Sequence, residues 1–198
     1  EILEVIKKLH YDTPTLIQQK AILPSIEGKD VVAIAQTGTG KTLAFAVPML
    51  QRLMDMKGKI GLVVVPTREL AAQVEETFIK VGGPLGVRTA LLIGGAAMGP
   101  QLGSIRRGPH VIIGTPGRIN DHLSQGTFKG DTVAILVLDE ATSSLDSESE
   151  AAIREAIAQL RGTTTVVIIS HRLSFITNVD RIFVLTRGRI AEEGSPAE

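Results

Sequence analysis

The stretch Ala35-Gln36-Thr37-Gly38-Thr39-Gly40-Lys41-Thr42 lies between a short apolar run, Val31 to Ile34, and a helical pattern that opens at Lys41 and continues to about Arg52. A chain that passes from strand to glycine-rich turn to helix N-terminus has few folds open to it. The turn gathers backbone N–H groups at the positive end of a helix, and such a point attracts phosphate. The backbone of Thr37, Gly38, Thr39 and Gly40 can surround the anion, Lys41 adds a point charge, and the Thr42 hydroxyl offers magnesium a hard oxygen. Much later, Ala134-Ile135-Leu136-Val137-Leu138-Asp139-Glu140 ends an apolar run in two carboxylates. Asp139 suits a magnesium shell and Glu140 suits polarisation of a water. Ala35 stands where the strict loop pattern has its first glycine, so an ordinary glycine-rich turn is the competing reading. The strand ending Asp-Glu favours a site for ATP or ADP with Mg2+.

The rest of the chain supplies the scaffold that such a loop needs. Apolar, β-branched runs recur at 31–35, 60–65, 89–93, 110–114, 133–138, 164–169 and 181–185. They are continuous rather than alternating, as in strands covered on both faces of a parallel sheet. Helical patterns at 69–81 and 99–107 fall between them, and another follows Leu145, where Ser147 and Glu150 fit a capping box ahead of an Ile153, Ala156, Ile157 and Leu160 stripe. Strand then helix, repeated, predicts a doubly wound, mostly parallel α/β sheet in a three-layer sandwich. The pair 181–185 and 189–192, around Thr186-Arg187-Gly188, predicts an antiparallel hairpin at the C-terminal edge.

Composition narrows the function. At 198 residues the chain suits one domain, 1–198. Lys plus Arg equals Asp plus Glu at 21 each, so no global cationic field draws nucleic acid or membrane. The absence of cysteine removes disulfides and thiolate chemistry. His10, His110, His122 and His171 lack metal-ligand spacing. No apolar run is long enough to span a bilayer, which leads to the expectation of a soluble, cytoplasmic monomer without membrane contact. Aromatic residues are only 3% of the chain, too few for a base-stacking platform.

Residues 1 to about 130 resemble the first RecA-like domain of DEAD-box RNA helicases. The likeness rests on Tyr11-Asp12-Thr13-Pro14-Thr15-Leu16-Ile17-Gln18, on the Ala-first loop 35–42, and on Pro66-Thr67-Arg68-Glu69-Leu70-Ala71, Gly94-Gly95 and Thr115-Pro116-Gly117-Arg118. That family continues Asp-Glu-Ala-Asp; here Asp139-Glu140-Ala141-Thr142-Ser143-Ser144-Leu145-Asp146 follows. From 134 to 198 the chain looks like the C-terminal part of an ABC-transporter ATPase, with Ile169-Ser170-His171-Arg172 as its switch histidine segment. Together the resemblances imply an engineered chimera, joined between about Lys129 and Leu136, of two parents that share a P-loop NTPase core.

The resemblances imply roles. Gln18 reads adenine, since an amide presents donor and acceptor together, or else it is a turn amide after Pro14. The helicase family's upstream stacking aromatic is replaced by Glu1, and Tyr11 compensates in part. His171 contacts the γ-phosphate from the end of a strand lying between the phosphate-loop strand and the Asp-Glu strand, or is structural there. Thr67, Arg68, Gly95, Thr115 and Arg118 contact an RNA backbone, or serve loops and helix starts. The expectation is Mg-dependent ATP/ADP binding with weak or no hydrolysis, weak or no RNA binding, and neither helicase nor transport activity alone. A folded scaffold without activity and a weak RNA-binding module are the alternatives.

Overall fold

Continuous apolar strands leave neither sheet face fit for water, and the structure, a computed structural model, covers both. It describes residues 1–34, 38–139, 165–169, 181–186 and 189–194. In chain order these form α1 (Ile2–Lys8), α2 (Leu16–Ile26), β1 (Val31–Ile34), α3 (Lys41–Asp55), β2 (Ile60–Val64), α4 (Arg68–Gly82), β3 (Thr89–Leu92), α5 (Met98–Arg106), β4 (Val111–Gly114), α6 (Pro116–Ser124), β5 (Val133–Asp139), β6 (Thr165–Ile169), β7 (Arg181–Thr186) and β8 (Arg189–Gly194). The helix expected after Leu145 lies outside the described residues.

One eight-stranded sheet runs β3-β4-β2-β5-β6-β1-β7-β8. Every pairing is parallel except β7 with β8, which closes the edge as an antiparallel hairpin. The doubly wound, mostly parallel fold is as expected from the sequence.

Side chains alternate across the sheet with a period of two, and the two cores show it. Val63, Val111, Ile113, Ile135 and Val137 pack with Ile2, Ile17, Phe45 and Phe78 from α1 to α4. Leu62, Ile112, Leu136 and Leu138 pack on the other face with Ile119 of α6 and Ile105 of α5. The Phe45 and Phe78 rings, centroids 6.3 Å apart and tilted by 37°, join α3 to α4 within the preferred range for aromatic pairs. Because β1 to β6 are parallel, their carboxyl ends share one edge, and open α/β sheets bind ligands there. Among the described residues no helix is long and apolar enough to cross a membrane.

Candidate nucleotide site and the adjoining loop edge

The sheet order divides that edge in two. β1, β6 and β5 form one half, with the phosphate loop after β1 and Asp139 at the end of β5. β2, β4 and β3 form the other half, leading into Thr67, Thr115 and the loop 94–97. The expectation that the strand before Ser170-His171 separates the phosphate-loop strand from the Asp-Glu strand is met: β6 pairs with β1 on one side and β5 on the other. At a strand spacing of about 4.8 Å, the ends of β1 and β5 lie roughly 10 Å apart, a gap that a phosphate with its cation can bridge.

On the nucleotide half, Gly38 and Gly40 have φ of 79° and 84°. A side chain strains such left-handed backbone, and glycine does not. Gly40 is the N-cap of α3, so Lys41 and Thr42 form the first turn, whose N–H groups have no acceptor within the helix and face the positive end of its dipole. Lys41 is 9% exposed and Asp139 is 4% exposed. Thr37, Glu140 and His171 lie outside the described residues.

The donor chemistry fits magnesium. One hydroxyl and one carboxylate offer hard oxygens, and this cation ordinarily keeps several waters and takes its other ligands from phosphates. Thr42 and Asp139 are the residues of this edge whose oxygens would hold such an ion together with a nucleotide's phosphates.

Gln18 is 8% exposed and its amide is already engaged. Its Oε1 accepts from Thr15 N at 2.9 Å, and its Nε2 donates to Gly40 O at 3.1 Å. An amide carries two N–H groups and two lone pairs, so one of each remains for a base. The side chain therefore caps α2 and braces the phosphate loop at once. Tyr11 is 46% exposed and close enough to Lys80, in the last turn of α4, to act on it electrostatically; Lys80 is about 18 Å along that helix from Arg68.

On the other half, Arg68 lies across the loop 94–97. Gly95 has φ of 75°, and a Cβ there would meet the Arg68 guanidinium, with Cζ at 2.7 Å. Arg118 reaches the same loop from α6, its Nη1 donating to Ala96 O at 3.0 Å. Two guanidinium groups thus converge on one loop. Thr67 Oγ1 accepts from Leu70 N at 3.2 Å and caps α4. Thr115 is the N-cap of α6 without a side-chain capping bond.

Residues 15–178 match the model of the DEAD/DEAH box helicase family. The chain belongs to that family. Among relatives of this DEAD/DEAH box chain is the ATP-dependent rRNA helicase RRP3 of Scheffersomyces stipitis, 44% identical over 88% of the chain and 36% of the relative. The helicase of the same name from Eremothecium gossypii is 40% identical over 91% of the chain and 38% of the relative. A hypothetical ATP-dependent RNA helicase from Sulfolobus tokodaii superposes with a TM-score of 0.81 at 29% identity, over 93% of this chain and 56% of that one. The chain thus spans less than two fifths of the length of these two rRNA helicases. The family match continues beyond Lys129 and Leu136, so it marks no boundary where the sequence suggested a join.

Sequence reasoning passed over His122 of α6, which is fully buried and bonded through both ring nitrogens. Its partners are remote in sequence or hidden in a loop, and no local pattern announces them.

Proposed function

We propose that this chain is a Mg-dependent ATP/ADP-binding domain of the DEAD-box kind, with slow or absent hydrolysis, acting as a monomer and unable to unwind or transport alone. The observation that carries the reading is the left-handed Gly40 leading directly into Lys41 and Thr42, with Asp139 two strands away on the same edge. In this reading Thr37, Gly38, Thr39 and Gly40 give backbone N–H groups to the phosphates and Lys41 neutralises them. Thr42 and Asp139 hold the magnesium, which when bound supplies charge neutralisation on the phosphate oxygens. Glu140 is the base, His171 contacts the γ-phosphate, and Gln18 with Tyr11 addresses the adenine.

Thr67, Arg68, Gly95, Thr115 and Arg118 would form a weak RNA-phosphate face on the other half of the edge. What supports it is the convergence of Arg68 and Arg118 on the loop 94–97. In the helicase family a second domain supplies the charge that stabilises the transition state, and a group of that kind is worth ~10³-fold or more, so turnover by this chain alone is slow.

We further propose that the segment from Ala134 onward is ABC-ATPase-like and that the chain is an engineered chimera. The supporting observation is the sequence Asp139-Glu140-Ala141-Thr142-Ser143-Ser144-Leu145-Asp146 where the helicase family reads Asp-Glu-Ala-Asp.

Calorimetric titration with ATP and Mg2+ tests the main reading. Binding by the parent, weakened about tenfold or more in Lys41→Ala, is the expected result. Equal affinities would remove the site, and no binding by the parent would leave an inactive scaffold.

A further inference from the structure

Behind the loop 94–97 sits a buried polar cluster. Gln101 of α5 is 5% exposed, and its Nε2 faces three backbone carbonyls: Ile93 O at 3.1 Å, Ala97 O at 3.3 Å and Ala96 O at 3.4 Å. Three acceptors on one side fix the amide, since only its nitrogen can donate. Its Oε1 must therefore face His122 Nε2, 3.3 Å away. An amide oxygen only accepts, so the proton sits on Nε2. On the other side of the ring, Nδ1 is 2.9 Å from Thr127 Oγ1, whose one hydrogen has two acceptors within reach, Nδ1 and the His122 backbone O at 3.0 Å. Burial and the nearby Arg118 lower the affinity of His122 for a second proton, against a smaller opposing effect of Asp121. The neutral ring then runs in one direction toward the loop: Nε2–H to Gln101 Oε1 and Gln101 N–H to the loop carbonyls, with Nδ1 facing Thr127 Oγ1.

That chain ties α6 to the loop on which both arginines converge. Arg118 is on the same helix as His122, one turn earlier, and donates to Ala96 O; Arg68 lies over Gly95. We propose that His122, acting through Gln101, is a positioning residue that fixes the loop 94–97 against α6 and so sets the spacing of Arg68 and Arg118 for consecutive phosphates of an RNA strand. The inference rests on the proposed RNA face, and makes His122 part of it without contact with RNA. Buried polar chains act as units, and removing one member leaves the next unsatisfied.

The test measures oligouridylate affinity at low salt and, on the same samples, ATP affinity and thermal midpoint, for the parent, His122→Leu and His122→Gln. Leucine removes the donor to Gln101, while glutamine restores an N–H at the end of a flexible arm. The expected result is RNA affinity lowered about fivefold or more in His122→Leu, as loss of one such bond implies, with ATP affinity unchanged and most of the RNA loss recovered in His122→Gln. Unchanged RNA affinity in His122→Leu overturns the inference and leaves the RNA face standing. Parallel losses of RNA affinity, ATP affinity and thermal midpoint overturn it too, by showing a purely structural histidine. A parent that binds no oligouridylate removes the RNA face itself, a failure seen before any variant is compared.

Discussion

At the residue scale, Gly95 shows how narrowly the loop edge is built. It combines φ of 75° with a guanidinium where its Cβ would stand. Gly95→Ala should therefore displace Arg68 as well as strain the backbone by roughly 1 kcal/mol. The expected outcome is weaker oligouridylate binding with ATP affinity retained, read by fluorescence anisotropy beside calorimetry. A second expectation at this scale concerns protons. Burial, followed by Arg88, lowers the proton affinity of His110, and burial, followed by Arg118, lowers that of His122. A histidine depressed in the fold binds its proton more readily when unfolded, so stability is fully present above the ordinary value of about 6.5 and declines as pH falls through the window beneath it. Urea midpoints should drop from about pH 7.5 to about 5.5, and less so in His110→Gln. A midpoint independent of pH in that range would contradict both shifts.

At the element scale, the strands were legible because a sheet covered on both faces demands continuous apolar runs, and few other environments do. Seven runs read from the sequence correspond to seven strands within a residue or so at each end, and the hairpin partner β8 runs on to Gly194. The short N-terminal helices α1 and α2 were not read, since Pro24 interrupts the pattern of α2 from within. The phosphate loop and Asp139 were legible for a related reason, as motifs contiguous in the chain. The brace from Gln18 to Gly40 links positions 22 apart, and the contact of His122 with Gln101 links positions 21 apart; pairings of that kind exist only after folding. Packing between elements yields its own expectation. Phe78 of α4 is fully buried against Phe45 of α3, so Phe78→Ala should cost about 3–5 kcal/mol in urea unfolding. A loss below about 1 kcal/mol would mean that α4 is not held by this contact.

At the scale of the whole molecule, one sheet edge carries two readings side by side, nucleotide at β1, β6 and β5 and cationic loops at β2, β4 and β3. On the proposed reading, the chain presents this edge to one side of a strand without closing around it. The purified chain should leave an RNA duplex intact in the presence of ATP, and ATP-dependent strand separation in a gel assay would refute that expectation. The sheet order has another consequence, in time rather than space. Thr165 of β6 donates to Gly28 O, just before β1, across 137 positions of chain. Synthesis proceeds from the N-terminus, and contacts this distant form slowly. A nascent chain that has emerged only as far as β5 holds its phosphate loop and its acidic strand on either side of an unfilled slot, each with a bare pairing edge. The strand between them arrives later, so the candidate nucleotide site is complete only once β6 has emerged from the ribosome.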